Sequence, residues 1–182
     1  MKFTKTKIEG VVIVEPKVFE DARGYFFESY NEKEFVENGI DAKFIQDNQS
    51  KSSYGVIRGL HCQLGDHSQA KLVRVLKGRV LDVAVDIRKG SPTFGQYVAV
   101  ELSEENQRQL FIPRHFLHGF SVLSEEAVFS YKVDNYYCKD AEFGIRYDDK
   151  EIGIDWQIPV DKIITSEKDR IAKGLKDVPN NG

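Results

Sequence analysis

The feature that most constrains the fold is a dense series of β-branched and apolar segments between residues 71 and 133. Six segments have the length and composition of strands, and they are 72–76, 80–87, 97–102, 109–112, 116–123 and 127–133. Lys77-Gly78-Arg79 separates the first two, a pattern typical of a hairpin with glycine in its turn. Many short strands with turns between them and little helix predict an antiparallel sandwich or barrel, so the expected fold class is all-β.

The rest of the chain predicts further strands and two short peripheral helices. Strands are expected at 11–14, 25–27, 43–46 and 56–63, with a polar loop at 47–50 before the last of them. Asn31 is placed to cap a helix over 32–38, which Gly39 ends. Ser166 is placed to cap a C-terminal helix, and the tail beyond 178 is expected to fray.

Composition excludes several classes of protein. A net charge of −3 with mixed signs argues against a nucleic-acid partner, and no apolar run approaches the roughly 20 residues that span a bilayer. No apolar segment follows the basic start of the chain, so no signal peptide is expected. Cys62 and Cys138 form neither a metal spacing nor a disulfide framework, which predicts a cytoplasmic protein with reduced thiols. Because no repeat or composition shift divides the chain, residues 1–182 are expected to form one domain.

The strand at 56–63 carries the first candidate for chemistry. His61 has an imidazole, whose unperturbed pKa of about 6.5 suits a group that takes and releases protons near neutral pH. Arg58 offers a fixed fork of donors suited to phosphate or carboxylate. A base beside an anion clamp is typical of an enzyme acting on a phosphorylated small molecule. The alternative is a core histidine with a satisfied hydrogen bond and an arginine at the strand edge, and the stretch alone favours it.

Strand parity gives two further groups. If the strand from Phe129 stays regular, Tyr131 and Tyr137 share one face. A phenol, with a pKa of about 10, is protonated at neutral pH and can act as a proton donor. The alternative is a barrel interior lined by aromatic residues. Asp82 and Asp86 also share a face, and both an inward and an outward orientation stay open.

The histidines do not predict a metal site. Barrel metal sites often use a His-x-His pair with a later carboxylate and a third histidine, whereas this chain has His61-Cys62-Gln63. Other metal sites need three or four converging ligands, and the sequence offers no such cluster. Lys71 opens a strand, and His118 stands beside Gly119 at the start of an apolar one. We expect a site without metal.

Taken together, these motifs resemble the dTDP-4-dehydrorhamnose 3,5-epimerase family from about Val14 to Arg170. Many anchors occur in order, which makes the resemblance far more specific than any one of them. They are 21–28 (DARGYFFE), 46–48 (QDN), 58–61 (RGLH), 71–73 (KLV), 82–88 (DVAVDIR), 90–95 (GSPTFG), 118–120 (HGF) and 152–156 (IGIDW). The resemblance implies a cupin-type jelly roll, a homodimer, and neither metal nor organic cofactor.

The resemblance also implies roles for individual residues. His61 would be the base, Asp169 would pair with it, Tyr131 would be the acid on the opposite face of the sugar, and Lys71 would stabilise the enolate oxygen. Tyr137 would stack on the thymine of a dTDP-sugar. The remaining residues expected to contact the nucleotide or sugar are Arg23, Glu28, Gln46, Asp47, Asn48, Arg58, His118, Glu142 and Lys168.

The implied reaction fits these residue types. The substrate would be dTDP-4-keto-6-deoxy-D-glucose, whose C4 ketone acidifies the C–H bonds at C3 and C5. Inversion of each centre removes a proton from one face and returns one to the other, which needs a base and an acid across the ring. A cation at the developing enolate lowers the barrier. The product would be dTDP-4-keto-L-rhamnose.

Two local alternatives stay open. Asp169 stands three residues after Ser166, where a capping-box residue also sits. Arg58 and His61 are three apart and would point to opposite faces of a regular strand. Either Gly59 marks a bulge, or Arg58 reaches the ligand near the strand end.

Three positions depart from the family pattern and leave the exact sugar open. His115 and Leu117 replace a glycine and an alanine before His118, and Cys62 replaces an aromatic residue after the base. The competing functions are an epimerase at one carbon or a ketoisomerase on a related nucleotide deoxysugar, and a non-catalytic jelly roll that binds a sugar nucleotide. A metal-dependent oxygenase is the remaining alternative.

Overall fold

A computed structural model describes residues 1–179, and strands dominate this part of the chain. The strands are β1 Lys2–Lys5, β2 Val12–Glu15, β3 Phe19–Asp21, β4 Gly24–Phe26, β5 Gln46–Ser53, β6 Ile57–Gln63, β7 Lys71–Lys77, β8 Arg79–Asp86, β9 Tyr97–Ser103, β10 Gln109–Ile112, β11 Phe116–Val122, β12 Glu126–Val133 and β13 Glu142–Gly144. The α-helices are α1 Glu32–Glu37 and α2 Glu167–Arg170. Short 3₁₀ turns occupy Gly65–His67, Lys139–Ala141, Val160–Lys162 and Leu175–Asp177.

The strands form two facing sheets and a separate hairpin. One sheet has the order β1-β2-β10-β7-β12-β5, the other has the order β13-β6-β11-β8-β9, and β3 pairs with β4. Neighbouring strands are antiparallel throughout these sheets. The main core lies between the sheets, where Val73 and Phe129 of one meet Ala84 and Phe120 of the other. The all-β, cupin-type jelly roll with short peripheral helices is confirmed.

A second core covers the outer face of the five-stranded sheet. Leu60, Val83 and Leu117 point away from the main core and pack against residues from the last third of the chain. Trp156 and Leu175 are among those covering residues. The C-terminal part of the chain is therefore bound to the back of the sheet that carries His61.

The predicted hairpin at Lys77-Gly78-Arg79 is wrong. β7 lies in the six-stranded sheet and β8 in the five-stranded sheet, so this turn carries the chain from one sheet to the other. Gly78 has a φ of +78°, and a Cβ there would lie 2.0 Å from the carbonyl oxygen of Glu126. Glycine is required for this arch as it would be for a hairpin, which is why the turn residues do not distinguish the two.

The polar loop predicted at 47–50 is also wrong, because these residues belong to β5. β5 is the edge strand of the six-stranded sheet and pairs with β12 alone. Its residues alternate between partly buried and exposed, with Ser52 buried. A strand whose inner face borders a pocket can be polar on both faces, so its composition resembles that of a loop.

The first predicted helix matches the structure closely, and the C-terminal helix is shorter than predicted. Asn31 caps α1 by accepting the N–H of Glu34, as predicted, and α1 ends at Glu37 with Asn38 as its C-cap. Ser166 caps α2 by accepting the N–H of Asp169 at 3.1 Å, but α2 has only four residues. The predicted longer C-terminal helix is therefore wrong, and residues 164–178 form an irregular strap, called the C-terminal strap below. Of the tail beyond 178 that was predicted to fray, residues 180–182 lie outside the described residues.

Two parallel bridges and buried side chains hold the C-terminal strap. Ile164 pairs with Val56, and Lys173 pairs with Ile145. Leu175 is buried in the second core. The strap is thus fixed on both sides of α2. None of the helices within residues 1–179 combines the length and apolar character that crossing a membrane requires.

Candidate active site

A cavity of about 200 Å³ lies between the two sheets and brings together most of the residues predicted to do chemistry. Its lining residues are Gln49, Ser50, Arg58, His61, Lys71, His118, Phe120, Phe129 and Tyr131. β6 and β11 supply one wall, and β5, β7 and β12 supply the other. A more open groove of about 960 Å³, beside the turn from β1 to β2, is lined by other residues.

His61 and Asp169 form a hydrogen-bonded pair in which Nε2 of the imidazole meets Oδ1 of the carboxylate. Because a carboxylate can only accept, Nε2 carries the hydrogen and the neutral ring has its lone pair on Nδ1. Burial raises the pKa of Asp169, but the hydrogen bond and charge of His61 and the hydroxyl of Ser166 outweigh it and lower the pKa below its usual value. An ionised Asp169 therefore fixes the tautomer and the orientation of the His61 ring.

Of the two interpretations of Asp169, the structure has the pair with His61, and the side chain does not complete a capping box with Ser166. Its backbone N–H donates to Ser166 Oγ, the capping interaction, while its side chain turns to His61. α2 is too short to align a helix face, so the cap and the strap set the direction of this side chain.

A bulge in β6 brings Arg58 and His61 to the same cavity. His61 lies opposite His118 of β11, and Arg58 lies opposite Phe120, so three steps on β6 match two on β11. At the bulge Gly59 has a φ of +121°, and a Cβ there would lie 2.6 Å from the Cα of Gly119. Of the two sequence alternatives for the parity of this strand, the structure has the bulge.

Tyr131 and Lys71 come from the opposite sheet. Tyr131 lies opposite Val73 on β7, two residues from Lys71, so both side chains point to the cavity. Burial raises the pKa of Tyr131, against smaller opposing effects of Arg58 and Asn48, so the phenol is protonated at neutral pH. Desolvation lowers the pKa of Lys71, while nearby acidic groups, including Asp82, oppose the shift.

His118 has its own carboxylate, which the sequence did not reveal. Its Nε2 bonds Oδ2 of Asp82 at 2.8 Å, and Asp82 is fully buried. The second oxygen of Asp82 has no hydrogen-bond partner within the described part of the chain. Asp82 thus faces inward, one of the two orientations left open. A clue lies in the register, which sets Asp82 opposite Phe120, two residues from His118.

Asp86, on the same strand, binds side chains of the loop that follows β8. Its carboxylate accepts hydrogen bonds from Arg88, Ser91 and Thr93. These bonds overcome the cost of burial and lower its pKa to about 2. Asp86 therefore holds the loop after β8 and does not line the cavity.

A second polar group lies beside β13. Lys168 and Glu142 form an ion pair, and the hydroxyl of Tyr137 donates to Glu142 at 3.2 Å. The predicted parity of Tyr137 with Tyr131 is wrong, because β12 ends at Val133 and the ring of Tyr137 is exposed. β13 pairs with β6, so this group lies next to the strand that carries His61.

The other predicted binding residues divide into two sets. Asn48 lies opposite Tyr131. The side-chain amide of Gln46 donates to Oδ1 of Asn48 at 2.9 Å. Asp47 points away from them and pairs with Lys132. These β5 residues are close to the cavity, although Gln46, Asp47 and Asn48 do not line it.

Arg23 and Glu28 are not brought to the cavity within one chain. Arg23 lies on the hairpin formed by β3 and β4, its side chain is 89% exposed, and it pairs with Asp21 at 2.6 Å. Glu28 follows that hairpin and is exposed. The hairpin also exposes the rings of Phe19, Tyr25 and Phe26.

The departures from the family pattern lie outside the cavity wall. Cys62 and Leu117 belong to the second core, and the register that pairs His118 with His61 sets them side by side. Relative to the family pattern, Cys62 is a smaller side chain and Leu117 a larger one, and the two are neighbours in the second core. His115 has a φ of +66°, a conformation that favours the glycine of the family pattern. None of the three changes a lining residue.

The described residues hold no group of three or more histidine, cysteine, aspartate or glutamate side chains that could bind a metal ion. The cavity instead combines a histidine–carboxylate pair, a protonated phenol and a desolvated amine. In a jelly roll, this set defines a cupin-type enzyme that moves protons on a small molecule.

The family follows from comparison with known proteins. The sequence model described as dTDP-4-dehydrorhamnose 3,5-epimerase matches residues 5–177, and the chain belongs to this family. The family member from Shigella flexneri is 56% identical over 170 residues, which cover 93% of each protein. The crystal structure of the enzyme from Elizabethkingia anophelis has a TM-score of 0.94 at 57% identity, covering 97% of both chains. An epimerase structure from Legionella pneumophila, solved with dTDP-4-keto-L-rhamnose, has a TM-score of 0.93 at 49% identity, covering 98% of this chain and 94% of that one.

Proposed function

We propose that the chain catalyses the 3,5-epimerisation of dTDP-4-keto-6-deoxy-D-glucose to dTDP-4-keto-L-rhamnose, a step of dTDP-rhamnose biosynthesis. The observation that carries this function is the arrangement of His61 and Tyr131 on opposite walls of one cavity. Inversion of a carbon centre requires a base on one face of the sugar and an acid on the other. Membership of the family supplies the substrate class.

The base in this reaction is His61. Its Nδ1 takes the proton from C3 or C5, because Nε2 is occupied by Asp169. The positive charge that forms on the ring is stabilised by the ionised carboxylate, which is buried and holds the ring in one orientation. A pair of this kind supplies the rate enhancement of general base catalysis, typically 10²–10⁴-fold.

Lys71 stabilises the enolate oxygen at C4. The amine lies on the wall that also carries Tyr131. Its surroundings desolvate it, as the lowered pKa of its ammonium indicates, and a cation in such a site interacts more strongly with developing negative charge than it would in water.

Tyr131 returns a proton to the opposite face. Burial keeps its phenol protonated until the carbanion accepts the hydrogen. The charge of Arg58 and a hydrogen bond with Asn48 favour the phenolate that is left behind. The same acid and base serve both carbons in turn, with water restoring their protons between steps.

The nucleotide half of the substrate is held partly by the cavity wall and partly by residues outside the cavity. Arg58 and His118 lie on the cavity wall, where the guanidinium of Arg58 suits a diphosphate and the free Nδ1 of His118 can accept a hydrogen bond from a sugar hydroxyl. Tyr137 presents an exposed ring for stacking on thymine, and Glu142 and Lys168 lie beside it. Gln46, Asp47 and Asn48 line the strand edge nearby. Binding energy from these remote contacts positions the sugar.

Arg23 and Glu28 act in a homodimer. They are remote from the cavity of their own chain, and their hairpin exposes three aromatic rings that a partner would cover. We propose that the hairpin carries both residues to the substrate of a second copy. A solution mass of twice the 20.8 kDa chain is expected, and a single-chain mass would contradict the dimer.

The reaction needs no cofactor, because substrate and product are isomers and only protons move. Residues 1–182 act as one domain in this proposal. A cytoplasmic location agrees with two free cysteines, Cys62 and Cys138, that an oxidising compartment would put at risk.

Turnover in deuterated water tests the function. We expect NMR of the product to reveal deuterium at both C3 and C5, because each inversion exchanges one hydrogen with solvent. Exchange at one carbon would identify a single-carbon epimerase, and migration of the ketone would identify a ketoisomerase. Binding of the dTDP-sugar with no exchange at either carbon would identify a non-catalytic jelly roll and overturn the proposal.

A further inference from the structure

Gly144 lies directly opposite His61, where β13 pairs with β6. Its φ is outside the left-handed region, so its backbone conformation does not require glycine. The limited space around Gly144 favours glycine instead. A Cβ at this position would lie 3.1 Å from the carbonyl oxygen of Leu60 and 3.4 Å from Cδ2 of the His61 ring.

The atom of His61 nearest to Gly144 belongs to the edge of the ring that bonds the carboxylate. Cδ2 is covalently bonded to Nε2, which meets Asp169. Nδ1, the atom that takes the substrate proton in the proposed function, lies on the opposite side of the ring. A group that pushed on Cδ2 would therefore alter the directions of both nitrogens.

The backbone beneath the ring is held firmly. Leu60 and Ile145 exchange two backbone hydrogen bonds of 3.2 and 3.0 Å, and Ile145 is fully buried. Ile145 also bridges to Lys173 of the C-terminal strap. Ala172 of the strap would lie 3.9 Å from a Cβ on Gly144, so the strap closes the remaining side. Because this backbone is held firmly, an added methyl group that is tight against the Leu60 carbonyl oxygen would be accommodated by a shift of the imidazole, which it would already touch at van der Waals distance.

We propose that Gly144 is a positioning residue for the base: its missing side chain lets the imidazole rest on β13 with Nε2 aligned to Asp169 and Nδ1 open to the sugar. This inference rests on the proposed function for its catalytic consequence, and on geometry alone for the orientation of the ring.

The test is Gly144→Ala, with Gly174→Ala as the matched control. Gly174 also has an ordinary φ and belongs to the C-terminal strap, but a Cβ there would meet Asp149 and not His61. We expect Gly144→Ala to lower kcat about tenfold with KM changed less than about twofold, because small misplacements of a reacting group slow chemistry. Gly174→Ala should leave kcat within about twofold of the parent. Equal losses in the two variants would assign the effect to the strap and overturn the proposal.

A measurement without substrate separates this proposal from the proposed function. The Nε2 proton shared by His61 and Asp169 should give a low-field NMR signal, which Gly144→Ala shifts upfield and Gly174→Ala leaves in place. An unchanged signal in Gly144→Ala would overturn the positioning role even if the enzyme epimerises as proposed. Failure of the parent to epimerise would overturn the function while this signal still tested Gly144.

Thermal unfolding covers the case of a poorly folded variant. If contact with the imidazole is the cause, Gly144→Ala should lower Tm less when His61 is already alanine, since only the contact with Leu60 then remains. An equal loss of Tm in both backgrounds would contradict the proposal.

Discussion

Two histidine–aspartate pairs lie side by side in the cavity, and they differ in exposure. His61 and His118 face each other across neighbouring strands, and each bonds its aspartate through Nε2. The His61 side chain is 33% exposed and the His118 side chain 9% exposed. Both aspartates are buried, Asp169 on the C-terminal strap and Asp82 on the adjacent strand β8.

Similar histidine–aspartate pairs can have different functions, because the exposure of the imidazole controls its exchange of protons. A partly exposed imidazole can exchange its proton with substrate and water, and an ionised carboxylate behind it stabilises the charged state. A buried pair exchanges protons with difficulty because its charges cannot be solvated. We therefore propose that His61 transfers protons and that His118 holds the ligand with a ring of fixed orientation.

The largest expected effect is on catalysis. His61→Asn should lower kcat by about 10³-fold or more, since general base catalysis contributes up to about 10⁴. His118→Asn should lower kcat by only about 10-fold, with a raised KM, because it removes a contact and leaves the base. Steady-state kinetics on the dTDP-4-keto sugar measures both. Calorimetric binding of dTDP is the control for an intact nucleotide site. Equal losses of kcat in the two variants would contradict the assignment of proton transfer to His61 and not to His118.

An intermediate effect is expected on the free energy of unfolding. Here a substitution in the His118–Asp82 pair should have the larger effect, and one in the His61–Asp169 pair the smaller. Asp82→Asn should lower the free energy of unfolding by about 1–3 kcal/mol, because it removes a charge-assisted hydrogen bond from a fully buried site. Asp169→Asn should cost less than Asp82→Asn, because His61 is one-third exposed and water can take over the hydrogen bond that its ring loses. Urea unfolding followed by circular dichroism measures both, and a larger cost for Asp169→Asn would contradict the burial argument.

The smallest expected effect is on acid stability. The pKa of Asp169 is lowered in the folded state, so its contribution to stability is complete above the unfolded value of about 3.9 and is lost as pH falls through the folded pKa. Asp169→Asn should therefore weaken the loss of stability below about pH 4. Asp86, whose pKa is about 2, remains in both proteins as a common background. Identical acid unfolding curves would indicate that His61 does not stabilise the carboxylate.

Local features of the fold could be predicted from the sequence. The cap at Asn31, the apolar strands of the core and the bulge suspected at Gly59 depend on neighbouring residues, so the local pattern reveals them. The arch at Gly78 could not be distinguished from a hairpin, because the same turn chemistry serves both and the partners of β7 and β8 are distant in sequence. β5 was missed because its polar residues are those typical of loops.

The site was predictable in its residue types and less so in its pairings. His61, Lys71 and Tyr131 stand out by chemistry and by resemblance to the family, and the cavity unites them. The bond between His118 and Asp82 depends on the register of two strands, which composition does not determine. Tyr137 was misplaced because strand parity assumed a strand longer than β12.

The C-terminal strap has a consequence for the order in which the enzyme is made. Both sheets are complete at Gly144, whereas Asp169 follows 25 residues later. Every strand of the two sheets is therefore translated before the carboxylate that orients the imidazole. The segment that orients the base is thus translated after every strand, and the same segment covers the back of the sheet that carries the base.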